Sequence, residues 1–154
     1  MKKKIYVTSL IFFLIDFLSK LLVIFFDSKF PVVVINNFFV LDKVTNEGAA
    51  FSLFSGYVFV LVLISILVLY YINKSIINDI CSKFGMIGIS MLIGGILGNL
   101  FDRVFYGKVI DFLSFNIFGF MFPVFNLADT FICVGVGLLI IEFLRGDRDG
   151  NKSK

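Results

Sequence analysis

Four apolar runs, each about as long as a membrane-spanning helix, constrain this 154-residue chain most strongly. They cover approximately residues 5–26, 57–72, 84–101 and 126–144. A helix needs about 20 predominantly apolar residues to cross the hydrocarbon core of a bilayer. The composition agrees, because 59% of the residues are hydrophobic and 16% are charged, against about 25% charged residues in soluble domains. We therefore expect an all-α integral membrane protein with four transmembrane helices, forming one domain over residues 1–154.

The first run follows the sequence MKKK and could be taken for a cleaved secretion signal. No small-residue cleavage site follows it, however, and Asp16 and Lys20 interrupt it. These two residues are four positions apart, on one face of a helix, where they can form an ion pair. The pattern predicts a retained anchor helix whose ion pair orients it within the bundle.

Basic residues are distributed unevenly between the two ends of the runs. One side carries Lys2, Lys3, Lys4, Lys74, Lys83, Arg145, Arg148, Lys152 and Lys154, and the other carries Lys29, Lys43, Arg103 and Lys108. Because cytoplasmic loops are enriched in lysine and arginine, both termini are predicted to be cytoplasmic. The outer segments are then residues 27–56 and 104–125, and residues 145–154 form a charged, disordered cytoplasmic tail. The net charge of +3 is thus a topology signal, and no nucleic-acid partner is expected.

The first outer segment is too long for a plain hairpin loop. It contains the sequence FPVVVINNFFVLDKVTN, which is rich in β-branched and aromatic residues and has a turn signal at NN. We therefore expect a small β element lying on the outer membrane face.

The absence of histidine limits the chemistry that this chain can perform. It excludes a Ser-His-Asp or Cys-His site and a zinc site with histidine ligands. Cys81 is predicted to lie in a cytoplasmic loop and Cys133 within an apolar helix, as small loop or buried residues, and without histidine they lack the commonest activator of a thiol nucleophile. We expect neither a metal nor another cofactor.

Polar residues gather where the third run ends. In the sequence GGILGNLFDR, the residues Asn99, Asp102 and Arg103 are spaced to share one helix face. A salt bridge from Asp102 to Arg103, or to another helix, would account for the charges but not for the asparagine. Asp111, in the following sequence GKVIDF, is predicted to lie in a loop of the second outer segment.

The fourth run opens with the sequence FPVFNLAD. Helix capping alone would explain Asn126 as the N-cap residue and Asp129 as a negative charge in the first turn. The topology, however, brings Asp129 and Asp111 to the same membrane face. Two close carboxylates share a proton, so that one can act as a base on water while the other donates to a carbonyl oxygen. This is the chemistry of aspartic proteases, and it requires neither histidine nor metal.

Five motifs resemble, in order and spacing, those of the bacterial lipoprotein signal peptidases, the type II signal peptidases. They are DFLSK, TNEGAAFS, GGILGNLFDR, GKVIDF and FPVFNLAD. The resemblance implies an inner-membrane aspartyl endopeptidase that cleaves prolipoproteins just before the diacylglyceryl-modified cysteine, with Asp111 and Asp129 as the catalytic pair. It implies supporting or substrate-binding roles for Asn46, Gly48, Ala50, Asn99, Asp102, Arg103 and Asn126. Asp16 and Lys20 match the first motif, for which we infer a structural role or an indirect role behind the site.

Two other functions fit the polar residues of the sequence less well. A four-span proton-coupled transporter with Asp16 as a proton relay would require an unpaired acid, whereas Lys20 offers Asp16 a partner. A structural assembly protein would leave two convergent carboxylates unexplained. The partners expected for a peptidase are the prolipoprotein and membrane lipid, the protein is expected to be a monomer, and the β element could cover the site.

Overall fold

A computed structural model describes residues 1–48, 56–80 and 82–150, with side chains up to residue 144. Its helices are α1 (Lys2–Phe25), α2 (Val58–Tyr71), α3 (Ile77–Asp79), α4 (Lys83–Tyr106) and α5 (Leu127–Gly150). A π-helical stretch at Ile72–Ile76 joins α2 to the short α3, so that the two continue one span. In the described part of the chain, four helical segments are long and apolar enough to cross a membrane, which confirms the predicted class.

Helix α4 lies at the centre of the bundle because its glycines let two neighbouring helices approach closely. A Cβ added at Gly94 would lie 2.7 Å from the Ser9 carbonyl oxygen of α1. A Cβ added at Gly95 would lie 2.5 Å from the Ala128 carbonyl oxygen of α5. In a bilayer, where apolar burial between helices gains little, such close packing stabilises helix association. The glycines therefore let both α1 and α5 pack closely against α4.

Among the described residues, four antiparallel strands cover one end of the bundle in the order β1-β2-β3-β4. They are β1 (Val32–Ile35), β2 (Phe39–Asn46), β3 (Val109–Ile117) and β4 (Phe120–Met121). The predicted β element is thus β1 and β2, whose turn contains Asn37 in the left-handed conformation. Ile110 and Phe112 of β3 pack against Val23 of α1, so that the sheet rests on the ends of the helices.

The second outer segment is not the loop that the sequence predicted. Its residues form β3 and β4, and Asp111 therefore lies on a strand, paired in register with Val44 of β2. β-branched and aromatic residues such as Val109 and Phe112 favour a strand that is buried on both faces. The helix-to-strand connection is made by Gly107, whose φ of 69° closes α4 with a left-handed cap.

Two helices are longer than their apolar runs. Helix α4 continues beyond residue 101 to Tyr106. The charge of Asp102 does not end the helix, because it forms a buried salt bridge with Lys20. Helix α5 continues to Gly150, where a disordered tail was expected. No proline interrupts residues 145–150, so the backbone hydrogen bonds continue beyond the apolar run.

Candidate active site

Asp111 and Asp129 line one cavity of about 930 Å³ at the end of the bundle that carries the sheet. Asp111 comes from β3, and Asp129 lies in the first turn of α5. The cavity is also lined by Asn46 of β2 and by Asn99 and Arg103 of α4. Residues that were far apart in the sequence thus converge on one concave surface.

Asn126 and Asp129 form a reciprocal cap at the start of α5. The Asp129 amide donates to Asn126 Oδ1 at 2.9 Å, and the Asn126 amide donates to Asp129 Oδ2 at 3.2 Å. Both bonds satisfy backbone donors that a helix N-terminus leaves without partners. The predicted cap is therefore confirmed, and it holds the Asp129 carboxylate in a fixed position.

Two asparagine side chains connect the carboxylates. Asn126 Nδ2 donates to Asp111 Oδ1 at 2.7 Å and to Asn99 Oδ1 at 3.1 Å. Asn99 Nδ2 in turn donates to Asp129 Oδ1 at 2.8 Å. Because Asn126 is completely buried and Asn99 nearly so, water competes little for these bonds. The two aspartates are therefore held by one continuous hydrogen-bond network.

Asp111 has an environment that favours its protonated form. Its side chain is 2% exposed, and burial raises its pKa from 3.8 to about 6, with a further contribution from the negative charge of Asp129. Hydrogen bonds from Asn46 and Asn126 act in the opposite direction but are smaller in effect. A carboxyl group with this pKa can hold a proton near neutral pH and donate it during a reaction.

A buried cluster of charges lies directly behind the carboxylates. Lys20 Nζ is 2.7 Å from Asp16 Oδ2, which confirms the predicted ion pair within α1. The same Nζ is 3.0 Å from Asp102 Oδ2 of α4 and 3.1 Å from Asn99 Oδ1. Of the two alternatives for Asp102, the structure therefore shows the bond between helices and not one with its neighbour Arg103.

Arg103 joins α4 to the segment that follows β2. Its Nη2 donates to the Gly48 carbonyl oxygen at 3.0 Å, and its Nη1 donates to the Asn99 carbonyl oxygen at 3.3 Å. The Gly48 amide donates to Asn46 Oδ1 at 2.9 Å, which leaves Asn46 Nδ2 to reach Asp111 at 3.1 Å. Gly48 thus lies at the site as expected, whereas Ala50 falls outside the described residues.

The family model for signal peptidase (SPase) II matches residues 8–145. This chain belongs to the signal peptidase II family. The lipoprotein signal peptidase of Halalkalibacterium halodurans is 32% identical over 154 residues, which cover 97% of each chain. That of Neisseria meningitidis is 40% identical over 133 residues, covering 83% of this chain and 80% of the relative. A solved bacterial membrane enzyme matches 97% of this chain and 92% of its own with a TM-score of 0.81 at 32% identity.

Membership of the signal peptidase II family establishes the class of activity. The protein is a membrane-embedded aspartic endopeptidase that processes prolipoproteins, and the proton-coupled transporter is not supported. Four spans and this family together indicate a multi-pass protein of the bacterial inner membrane.

The sequence did not identify several residues that line the cavity of this signal peptidase. Glu47 is a third carboxylate there, inside the TNEGAAFS motif, and Phe122–Phe125 and Ile132–Val134 form apolar walls. Within the last range, Cys133 is exposed on α5 and not buried as expected, because α5 presents this face to the cavity. Cys81 falls outside the described residues. In the sequence, the position of Glu47 next to Asn46 was the one feature that could have indicated that Glu47 lies at the site.

Proposed function

We propose that Asp111 and Asp129 are the catalytic pair with which this signal peptidase II hydrolyses the bond before the lipidated cysteine of a prolipoprotein. The observation that carries the proposal is that these carboxylates, from a strand and a helix start, line one cavity and share one hydrogen-bond network. The raised pKa of Asp111 divides the roles between them. Asp111 is the member that holds the proton, and Asp129 is the carboxylate base.

The reaction then follows the chemistry of a carboxylate pair. Asp129 accepts a proton from a water molecule as the water oxygen attacks the scissile carbonyl carbon, and Asp111 donates its proton to the carbonyl oxygen. The resulting tetrahedral diol breaks its carbon–nitrogen bond when Asp129 returns a proton to the amine and Asp111 regains one from the diol. The products are the carboxyl end of the signal peptide and the free amino group of the lipidated cysteine.

The neighbouring polar residues have orienting roles in this proposal. Asn99 and Asn126 keep the carboxylate oxygens aimed into the cavity, since each donates to one of them. Arg103 supplies Nε, a buried donor without a hydrogen-bond partner among the described residues. A buried donor is costly unless it is satisfied, so it suits a carbonyl oxygen of the substrate backbone. Asn46 donates to Asp111 from β2, and Gly48 accepts from Arg103.

The shape of the cavity fits a substrate that is itself a membrane helix. Its apolar wall reaches from Phe122–Phe125, beside the sheet, to Ile132–Val134, which lies on α5 well inside the apolar run. At 1.5 Å per residue, Val134 is about 12 Å along the helix axis from the cap residue Asn126. The signal-peptide helix can therefore enter from the bilayer, with its acyl chains remaining in lipid.

The proposed function also requires a particular orientation of the protein in the membrane and contact of its helices with lipid. Both termini lie in the cytoplasm and the cavity opens at the outer face, as the distribution of lysine and arginine predicts. Lipid surrounds the helices, whose exposed side chains are mostly apolar, and the monomer is the functional unit because all of the proposed catalytic groups belong to one chain.

A direct cleavage assay tests the proposed function. The purified peptidase is incubated with a prolipoprotein that carries the diacylglyceryl group and, separately, with the same prolipoprotein without that group. The masses of the products are measured by mass spectrometry. We expect cleavage of the lipidated substrate alone, at the bond before the modified cysteine. Cleavage at another bond, or none, would contradict the substrate assignment.

A further inference from the structure

Lys20 lies at the centre of the buried cluster behind the active site, and each hydrogen-bond donor of its ammonium group has an acceptor. An ammonium has three donors, and Lys20 Nζ has three oxygens within reach, those of Asp16, Asp102 and Asn99. The side chain is 2% exposed, and both carboxylate partners are equally inaccessible to solvent. A cation placed so deeply in a membrane bundle is costly, and such residues usually have a functional role.

The two carboxylates that flank Lys20 hold corresponding points of the backbone. Asp16 Oδ1 accepts the amide of Ala128 at 2.8 Å, and Ala128 directly precedes Asp129. Asp102 Oδ2 accepts the amide of Ile110 at 3.2 Å, and Ile110 directly precedes Asp111. Each carboxylate of the cluster is thus bonded to the backbone next to one proposed catalytic aspartate, and Lys20 joins the two carboxylates.

The close packing around Asp16 leaves this arm of the cluster little freedom. A Cβ added at Gly98 would collide with Asp16 Oδ2 and would lie 3.3 Å from the Ala128 side chain. The carboxylate therefore occupies a slot between α4 and the start of α5 that only glycine leaves open. A displacement of Asp16 would be transmitted to Ala128, because protein interiors of this density transmit strain.

The third contact of Lys20 fixes the orientation of an amide group. Because Lys20 can only donate, Asn99 must turn its Oδ1 toward it, and this places Asn99 Nδ2 against Asp129 Oδ1 at 2.8 Å. If the amide of Asn99 were reversed, its oxygen would face the carboxylate of Asp129 and repel it. Lys20 thus also determines that Asp129 receives a donor.

We propose that Lys20 is a positioning residue that sets the distance between the two catalytic carboxylates by joining the two acids that hold the backbone beside each of them. The inference rests on the proposed function of Asp111 and Asp129. It assigns Lys20 an effect on the chemical step and none on substrate binding, because Lys20 is not among the residues that line the cavity.

A charge-free cluster separates this role from a purely structural one. In the triple variant Asp16→Asn, Lys20→Met, Asp102→Asn, the asparagine oxygens can still accept the amides of Ala128 and Ile110, and no buried charge is left without a partner. Replacement of buried ion pairs by neutral groups is often neutral or stabilising, so we expect an unchanged or higher Tm. We expect kcat to fall roughly 10- to 100-fold with KM unchanged, because small misplacements of catalytic groups have effects of this size.

A control variant and a replacement variant complete the experiment. Lys43→Met removes a partly exposed ion pair with Asp27 and should change neither kcat nor KM. A folded triple variant with the wild-type kcat overturns the inference. Should the triple variant not unfold cooperatively, Asp16→Asn alone, which keeps one buried ion pair, takes its place, and a wild-type kcat again overturns the inference.

Asp111→Asn in the same assay distinguishes the two levels of the proposal. If Asp111→Asn is inactive and the folded triple variant is fully active, the positioning role of Lys20 is wrong and the catalytic pair stands. If Asp111→Asn is active, the catalytic pair is wrong and the inference about Lys20 is overturned with it.

Discussion

Asn126 and Asp129 bind each other's backbone amides, at 2.9 Å and 3.2 Å, and so form the first turn of α5 together. Capping would explain both residues if nothing else contacted them. However, the side-chain nitrogen of Asn126 also donates to Asp111 Oδ1 at 2.7 Å, across to a strand that the cap does not involve. One asparagine therefore serves the helix through its oxygen and the carboxylate pair through its nitrogen.

The two uses of Asn126 can be separated by substitution. Asn126→Ser keeps an oxygen that can cap the helix, whereas Asn126→Ala does not, so the serine variant should be more stable by about 1 kcal/mol. Neither variant has the amide donors to Asp111 and Asn99, so both should lose activity to a similar extent, by at least about tenfold. Thermal unfolding in detergent and the cleavage rate provide the measurements. Equal stability of the two variants, or an active serine variant, would contradict this division.

The position of α5 against α4 depends on a glycine. In Gly95→Ala the new Cβ would lie 2.5 Å from the Ala128 carbonyl oxygen and 2.9 Å from Ile132 Cγ1, so α5 must shift. Overpacking of this kind costs about 1–3 kcal/mol, and the displacement of α5 should also lower kcat. Gly137→Ala is the matched control, since nothing lies within 4 Å of its added Cβ. Equal Tm values for the two variants would show that the contact is not tight.

The raised pKa of Asp111 makes stability depend on pH. Because burial and the charge of Asp129 raise this pKa from 3.8 to about 6, the folded protein holds a proton that the unfolded chain releases. The resulting stabilisation is fully present below pH 3.8 and is lost as the pH rises through about 6. The free energy of unfolding should fall by about 3 kcal/mol over this range. The free energy of unfolding of Asp111→Asn should lack this dependence on pH. Asp27→Asn, which changes an exposed carboxylate, should show the same dependence of stability on pH as the wild type. If Asp111→Asn also shows the wild-type dependence, the raised pKa of Asp111 is refuted.

The end of the sheet away from the active site should lie in the lipid bilayer. Phe118 is fully exposed at the β3–β4 turn, and Phe120 and Met121 beside it are more than half exposed. The chain has no tryptophan, so Phe118→Trp introduces a single fluorophore. Its emission should shift to shorter wavelength and be quenched by lipids brominated on their acyl chains. Asn78→Trp, at the end of the second span away from the sheet, should be quenched less. Equal quenching at the two positions would argue against insertion of the β3–β4 hairpin.

The sequence predicted those parts of the structure that depend on local patterns. Run length and hydropathy located the four spans, and the four-residue spacing of Asp16 and Lys20 predicted their ion pair. The cap at Asn126 was also readable, because its partner is three residues away. In each of these cases the interacting groups lie within one turn or one helix, where geometry follows directly from spacing.

The parts that could not be predicted depend on pairing across the fold. Asp111 was placed in a loop because the strand around it forms only by pairing with β2, more than 60 residues earlier. The contact from Lys20 to Asn99 spans 79 positions, and no local pattern indicates it. Residue types in the motifs thus indicated the chemistry of the site, whereas the network that joins them required the tertiary structure.

Replacement of each aspartate of the proposed pair tests the central claim most directly. Asp111→Asn and Asp129→Asn are purified in detergent and compared with the wild type for release of the signal peptide from a diacylglyceryl prolipoprotein. Asp42→Asn, outside the cavity lining, serves as the control and should retain the wild-type rate. We predict that each of the two site variants unfolds cooperatively and releases no signal peptide. Cleavage at the wild-type rate by either variant would contradict the account.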